Sequence, residues 1–283
     1  MRNYFCGWYF KCQSGGQTIA LIAARHRSRG VENCSVQIIT DDGAWRAIYP
    51  IDDFSHDGRR FETRIGESRF GKNCVTLSIH EKDLDAVGSV TFGEFSPIKG
   101  DIMGPFRFLP FMQCRHSVVS MRHTVNGTIT VNGKRFVFEN GEGYVEGDRG
   151  SSFPRVYLWT HAFIPGGSLM LSAAEIPVGP VRFTGIIGVL YKDGKEERIA
   201  TYRGARAATI KDGGIVVTQG GVRLTARLIE KRSHPLYAPQ DGSMTRTVRE
   251  SASCRAFYEF VKGDKTLISS ERPDASFEYE YPE

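Results

Sequence analysis

The sequence contains little that reads as helix. Nowhere do apolar residues recur at 3.6-residue spacing over a useful length, which excludes helical bundles, coiled coils and alternating βαβ folds. Long uncharged runs are also missing. The longest stretch without Lys, Arg, Asp or Glu, from Val156 to Ala174, is broken by His161 and Pro165-Gly166-Gly167 and cannot be a spanning helix. Residues 1–20 hold no apolar segment ending in small residues, so no export leader and no integral membrane contact are expected, and the protein is read as cytoplasmic. No charge sign dominates. The 37 Lys and Arg and 32 Asp and Glu alternate along most of the chain, as on a solvated mixed surface, and no nucleic-acid partner is expected. The six cysteines include no Cys-x-x-Cys pair, and Cys114-Arg115-His116 is too tight for two ligands facing one ion. Reduced thiols and no metal are expected. Cofactor loops fail as well. Gly66–Asn73 nearly matches a phosphate loop but lacks the final Ser or Thr, and the third glycine of Gly141–Gly147 comes one place late for a dinucleotide fingerprint. No cofactor is expected.

Turn signals and period-two runs are plentiful. Three Asn-Gly pairs begin at Asn126, Asn132 and Asn140, and Asp-Gly pairs begin at Asp42, Asp57, Asp193, Asp212 and Asp241. These dipeptides suit the positive φ angles of two-residue hairpins. Between them lie runs such as Cys74–His80, where Val75, Leu77 and Ile79 alternate with polar residues, and Val222–Leu228, which does the same. That alternation predicts half-buried antiparallel strands and an all-β protein. The strands are too many for one small barrel, so two antiparallel barrels, 1–125 and 126–283, are expected to pack directly together, without a linker.

Chemistry-bearing residues concentrate in Gly143–Pro154 and the run after it. Glu146 and Asp148 lie two apart and share a face if the backbone is extended, and Tyr157, Trp159 and His161 share a face on the next strand. An acid beside an aromatic wall can hold a proton at neutral pH and donate it. This makes Asp148 the candidate catalytic acid, with Glu146 and His161 tuning it. The alternative is that Asp148 pairs with Arg149 or caps a turn, and that Trp159 is core. Two further aromatic clusters occur. In Tyr4–Lys11, alternation puts Tyr4, Trp8 and Phe10 on one face and Phe5 and Tyr9 on the other. The segment Ile102–His116 reads as a packed, non-helical lid or barrel mouth and ends in Arg115 and His116. The candidate substrate-binding residues are Trp8, Tyr9, Arg115, His116, Arg149, Tyr157 and Trp159.

Three motifs carry a resemblance. They are Tyr4-Phe5-x-Gly7-Trp8-Tyr9-Phe10-Lys11, then Ile102-Met103-Gly104-Pro105-Phe106, then Gly143-Tyr144-x-Glu146-x-Asp148-x-Gly150-x-Ser152-Phe153-Pro154-x-x-Tyr157-x-Trp159. Together with Pro235–Pro239, Met244–Thr247 and Glu250, they make the chain resemble the bacterial branch of the tocopherol cyclase family over essentially its whole length. The resemblance implies a lipocalin-like double β-barrel related to the carotenoid hydratases. It also implies an acid-catalysed reaction in which a prenyl double bond is protonated and an oxygen traps the cation. The chain departs from the family pattern at Cys6, where Glu is usual, at Arg149, where Trp is usual, and at Trp159–Phe163, where Trp-x-Gln-x-Asn is usual.

Two readings follow. One is a cofactor-free cyclase, hydratase or isomerase of an apolar, alkene-bearing small molecule. The other is a non-catalytic, lipocalin-like carrier of a hydrophobic ligand. An exposed Asp148–Arg149 pair would favour the carrier.

Overall fold

The computed structural model describes residues 3–110, 112–230 and 233–282. They form an all-β protein, 74% strand and 4% helix, in two large antiparallel sheets. The first sheet is built from β1 (Tyr4–Ser14), β2 (Gln17–Ser28), β3 (Val31–Thr40), β4 (Ala44–Pro50), β5 (Phe54–Asp57), β6 (Glu62–Ile65), β7 (Ser68–Gly71), β8 (Cys74–Glu81), β9 (Leu84–Phe92), β10 (Cys114–Val131) and β11 (Lys134–Gly150). Its order is β4-β3-β2-β1-β11-β10-β9-β8-β7-β6-β5. The second sheet is built from β12 (Tyr157–Ile164), β13 (Gly167–Val178), β14 (Val181–Lys192), β15 (Lys195–Ala200), β16 (Arg206–Lys211), β17 (Gly214–Gln219), β18 (Val222–Glu230), β19 (His234–Gln240), β20 (Ser243–Lys262) and β21 (Lys265–Tyr279). Its order is β15-β14-β13-β12-β21-β20-β18-β17-β16, with β19 on β20. Among the described residues, no ladder joins the two ends of either sheet into a closed barrel.

Contacts divide the chain into two units. The first holds Met1–Ile98, Cys114–Phe153 and Tyr237–Arg246; the second holds Lys99–Gln113, Pro154–Leu236 and Thr247–Glu283. The division expected at 125/126 falls inside β10, whose pairing with β11 runs on both sides of that position. A hairpin register cannot be cut there without splitting its own ladder. The Ile102–His116 segment contains a short 3-10 helix, Gly104–Phe108, where a non-helical lid is expected; Phe111 lies outside the described residues.

The Asn-Gly pairs behave in two ways. Asn132-Gly133, with φ of 47° and 81°, makes the two-residue turn between β10 and β11. The other two pairs sit inside those strands, across from one another. Asn126 Oδ1 accepts a hydrogen bond from the Asn140 backbone N–H at 2.8 Å, and the β10–β11 register shifts between Val125 and Gly127. They form a bulge rather than two further turns, so β11 continues to Gly150 as one long strand. Gly127, at φ 133°, is needed there because a Cβ would meet the Ser89 carbonyl oxygen at 2.3 Å.

Each unit has its own apolar core. In the first, Phe10 and Cys12 of β1, Leu21 and Ala23 of β2, Val36 and Ile38 of β3 and Val145 of β11 are fully buried together. These are alternate positions, so the intervening residues of β1, β2, β3 and β11 occupy the opposite face of the sheet.

Candidate active site

That opposite face carries the polar residues of the first unit. In the β1–β11 ladder Asp148 pairs with Gly7, Glu146 with Tyr9 and Tyr144 with Lys11, and in the β10–β11 ladder Asp148 pairs with His116. Directly opposed residues of an antiparallel pair share a face, so His116, Glu146, Asp148, Tyr144 and Tyr9 are all presented together. Cys114, two residues before His116, joins them.

His116 is the hub. Its Nδ1 hydrogen-bonds Asp148 Oδ1 at 3.0 Å, and its Nε2 lies 3.2 Å from Glu146 Oε2. The Tyr144 hydroxyl donates to the same Glu146 oxygen at 2.5 Å. The Cys114 thiol donates to Asp148 Oδ1 at 3.3 Å. Five side chains therefore form one connected polar chain, Tyr144–Glu146–His116–Asp148–Cys114. Its inner end is dry: the Glu146 and His116 side chains are 6% and 10% exposed, against 21% for Asp148. Asp148 Oδ2 accepts no hydrogen bond from a described residue, so the second carboxyl oxygen at the more open end is left for another molecule.

Burial alone would strip the charge from His116. The carboxylates Glu146 and Asp148 overcome it and hold the imidazole pKa well above its ordinary value. Burial, followed by Glu146, pushes the Tyr144 phenol well above its usual range, and burial with Asp148 does the same to the Cys114 thiol. Tyr144 and Cys114 are thus fixed neutral donors, and the imidazole is the group of this chain that is held charged.

His116, Glu146 and Asp148 each offer a donor atom within 4.8 Å of the others. Both imidazole nitrogens already face carboxylate oxygens, so a cation could enter only by expelling the proton that joins them. The donor set fits a shared proton better than a metal.

The other expected site residues divide among several places. Tyr9 is buried opposite Glu146, on the same face. Trp8 is on the other face, where it stacks on His56 at 4.3 Å between ring centroids and packs against the core of the first unit. Arg149 and Arg115 are cross-strand partners of each other on that other face, and Arg149 is exposed. An Asp148–Arg149 pair is therefore not formed, because adjacent residues of β11 point to opposite sides. Tyr157, Trp159 and His161 belong to the second unit. They share one face of β12 as expected, all buried, and the Tyr157 hydroxyl donates to Glu278. Their neighbours Leu158, Ala162 and Ile164 fill that unit's core.

Sequence reading missed Tyr144 and Cys114. Each lies two residues from a named site residue on the same strand, the spacing that in an extended chain returns to the same face.

No family model matches the chain, and no curated protein matches it in sequence. Solved structures share its fold. A crystal structure of CghA bound to Sch210972 is 11% identical with a TM-score of 0.61, covering 99% of this chain and 89% of that one. Kievitone hydratase from Nectria haematococca is 8% identical with a TM-score of 0.55, again over 99% and 89%. At such identities the likeness is one of fold alone.

Proposed function

We propose that the chain is a cofactor-free enzyme that protonates a carbon–carbon double bond of an apolar, prenyl-like small molecule. The observation that carries this reading is His116 held between Asp148 and Glu146, with Asp148 Oδ2 unengaged at the more open end. Protonating an alkene needs an acid that is charged with a proton at neutral pH and shielded from bulk water. The imidazolium is the reservoir, and Glu146, anchored by Tyr144, fixes its orientation.

The step balances within the site. The π electrons of the alkene form a new C–H bond to the proton leaving Asp148, and a tertiary cation remains. A hydroxyl of the substrate closes a ring onto it, or water adds, or a neighbouring C–H gives up its proton. Each outcome returns one proton to the Asp148–His116 pair. The face of Tyr9 stabilises the developing cation. That one fold neighbour is a hydratase by name supports the reaction class, and the sequence motifs support ring closure, as in the tocopherol cyclases.

The test begins with whatever apolar compound co-purifies, identified by mass spectrometry, and follows its conversion in D2O. One deuterium should enter a carbon position of product per turnover. Asp148→Asn should abolish conversion while changing affinity less than about tenfold, 1.4 kcal/mol. Wild-type turnover by Asp148→Asn would remove Asp148 as donor and pass the role to His161. Binding without conversion by the wild type would make the protein a carrier.

A further inference from the structure

The polar face of the first sheet holds a second feature. Cross-strand partners run in rows from β11 to β4: Asp148–Gly7–Ala24–Ser35–Ile48, and Glu146–Tyr9–Ile22–Gln37–Arg46. On β2, β3 and β4, separated from β11 by β1 in the sheet, lies a pocket of about 250 Å³. The loop and strand start Gly242–Thr245 also line it. From this pocket we infer that the first unit binds a small organic carboxylate, held by Arg46 and covered on its apolar side by Val31 and Ile48.

Three independent observations support this. First, Arg46 is the only charged residue lining the pocket, which includes no Asp or Glu. Its guanidinium donates to the Met244 carbonyl at 3.1 Å and stacks 3.7 Å above the Tyr237 ring. Among the described residues no carboxylate lies within ion-pair distance of it. The fork is thus fixed in orientation and lacks the anion that such forks take up in pairs of hydrogen bonds.

Second, His26 is 5% exposed; its Nε2 hydrogen-bonds Ser35 Oγ at 3.0 Å, and its Nδ1 has no partner in the described residues. His26 is one of the residues that line the pocket, and its second ring nitrogen is a buried polar atom still without a hydrogen bond. Burial, aided by the Arg46 charge, lowers the His26 pKa to about 4, so His26 contributes a neutral hydrogen bond and Arg46 the charge.

Third, the rim is apolar. Val31 and Ile48 line the pocket while 67% and 53% exposed, and Tyr237 beneath Arg46 is 42% exposed. These are three of the six exposed large hydrophobic residues of the described chain. A bare inorganic anion would leave them in water, whereas the hydrocarbon body of an organic acid would cover them.

The experiment is calorimetric titration of the full chain with phenylacetate and with octanoate, using phenylacetamide and inorganic phosphate as controls. One saturable site for at least one of the two acids is expected, with phenylacetamide and phosphate at least tenfold weaker. Arg46→Gln should weaken the acid at least tenfold. Ile48→Asp, at an exposed rim position that tolerates substitution, should do the same with an unchanged far-ultraviolet spectrum. Asp148→Asn should leave this affinity unchanged, which separates the pocket from the acid site. The inference is overturned if neither acid binds saturably, if phosphate or the amide binds as well, or if Arg46→Gln binds like the wild type.

Discussion

Replacing His116 by Gln keeps a side chain that can reach two oxygens but removes the charge between Asp148 and Glu146. Two carboxylates then face each other in a largely dry site, so unfolding should become easier by about 3 kcal/mol near neutral pH. The pH signature separates this from a packing defect. The folded pKa of His116 is raised, so the stabilisation is complete below the unfolded value of about 6.5 and is lost as pH rises through the folded pKa. Urea melts at pH values stepped upward from about 6 should show the wild type losing its advantage over His116→Gln as the folded pKa is passed. An unchanged gap would mean that the charge is not what stabilises. His26 has the opposite sign: its folded pKa is about 4, so the unfolded chain takes up the proton first and stability falls as pH drops below about 6.5. By pH 4 the cost should approach about 3 kcal/mol, and the His26→Asn variant should show a correspondingly shallower acid limb. Of these residues, sequence reading found Glu146, Asp148 and their common face, because period two is visible in a single strand. It left His116 as a substrate contact. Which residue of another strand stands opposite Asp148 depends on the hairpin register and on the β10 irregularity between Val118 and Ser120, and neither is written in local periodicity.

At the scale of elements, β10 and β11 set the geometry of the site, and glycine at the bulge sets the geometry of that hairpin. Gly127→Ala combines a φ of 133° with a Cβ 2.3 Å from the Ser89 carbonyl oxygen and should destabilise by about 2–4 kcal/mol. Gly133→Ala, in the turn of the same hairpin, meets nothing within 4 Å and should cost about 1 kcal/mol. Thermal unfolding of the two variants should show the larger loss for Gly127, and equal losses would mean the bulge yields. Strands with one clean apolar face, such as β8 with Val75, Leu77 and Ile79 buried, were legible. The extension of β11 past Asn140 was not, because Asn-Gly has the same composition in a turn and in a bulge. β1 was obscured for another reason: its aromatic residues lie on both faces, so hydrophobicity does not alternate even though the backbone does.

For the molecule as a whole, the all-β class could be read from turn spacing, but the apportioning of the chain could not. Two bodies expected to follow each other in sequence are instead each assembled from three pieces. The thiols give a global check on packing. All six cysteines are free, with Cys12, Cys34 and Cys254 buried, and burial pushes the Cys12 thiol up to about 12. Six thiols should titrate in denaturant, while in native buffer those three should react far more slowly than Cys6 and Cys74. Fast labelling of Cys12 would mean that the first core opens readily. The late piece of the first unit has a consequence for how the protein is made. Gln37 clasps the backbone of Tyr237 with two hydrogen bonds, at 3.0 and 3.1 Å, and Arg46 rests on that residue's ring and reaches Met244. The eleven strands of the first sheet can emerge from the ribosome and pair long before these partners are synthesised. Until then β3 and β4 carry an unfinished wall, and a chain broken off after Phe153 never acquires it. Completion of the Arg46 pocket thus waits until Thr245 has been synthesised, and a chain broken off before that point is marked by its failure to retain an organic acid.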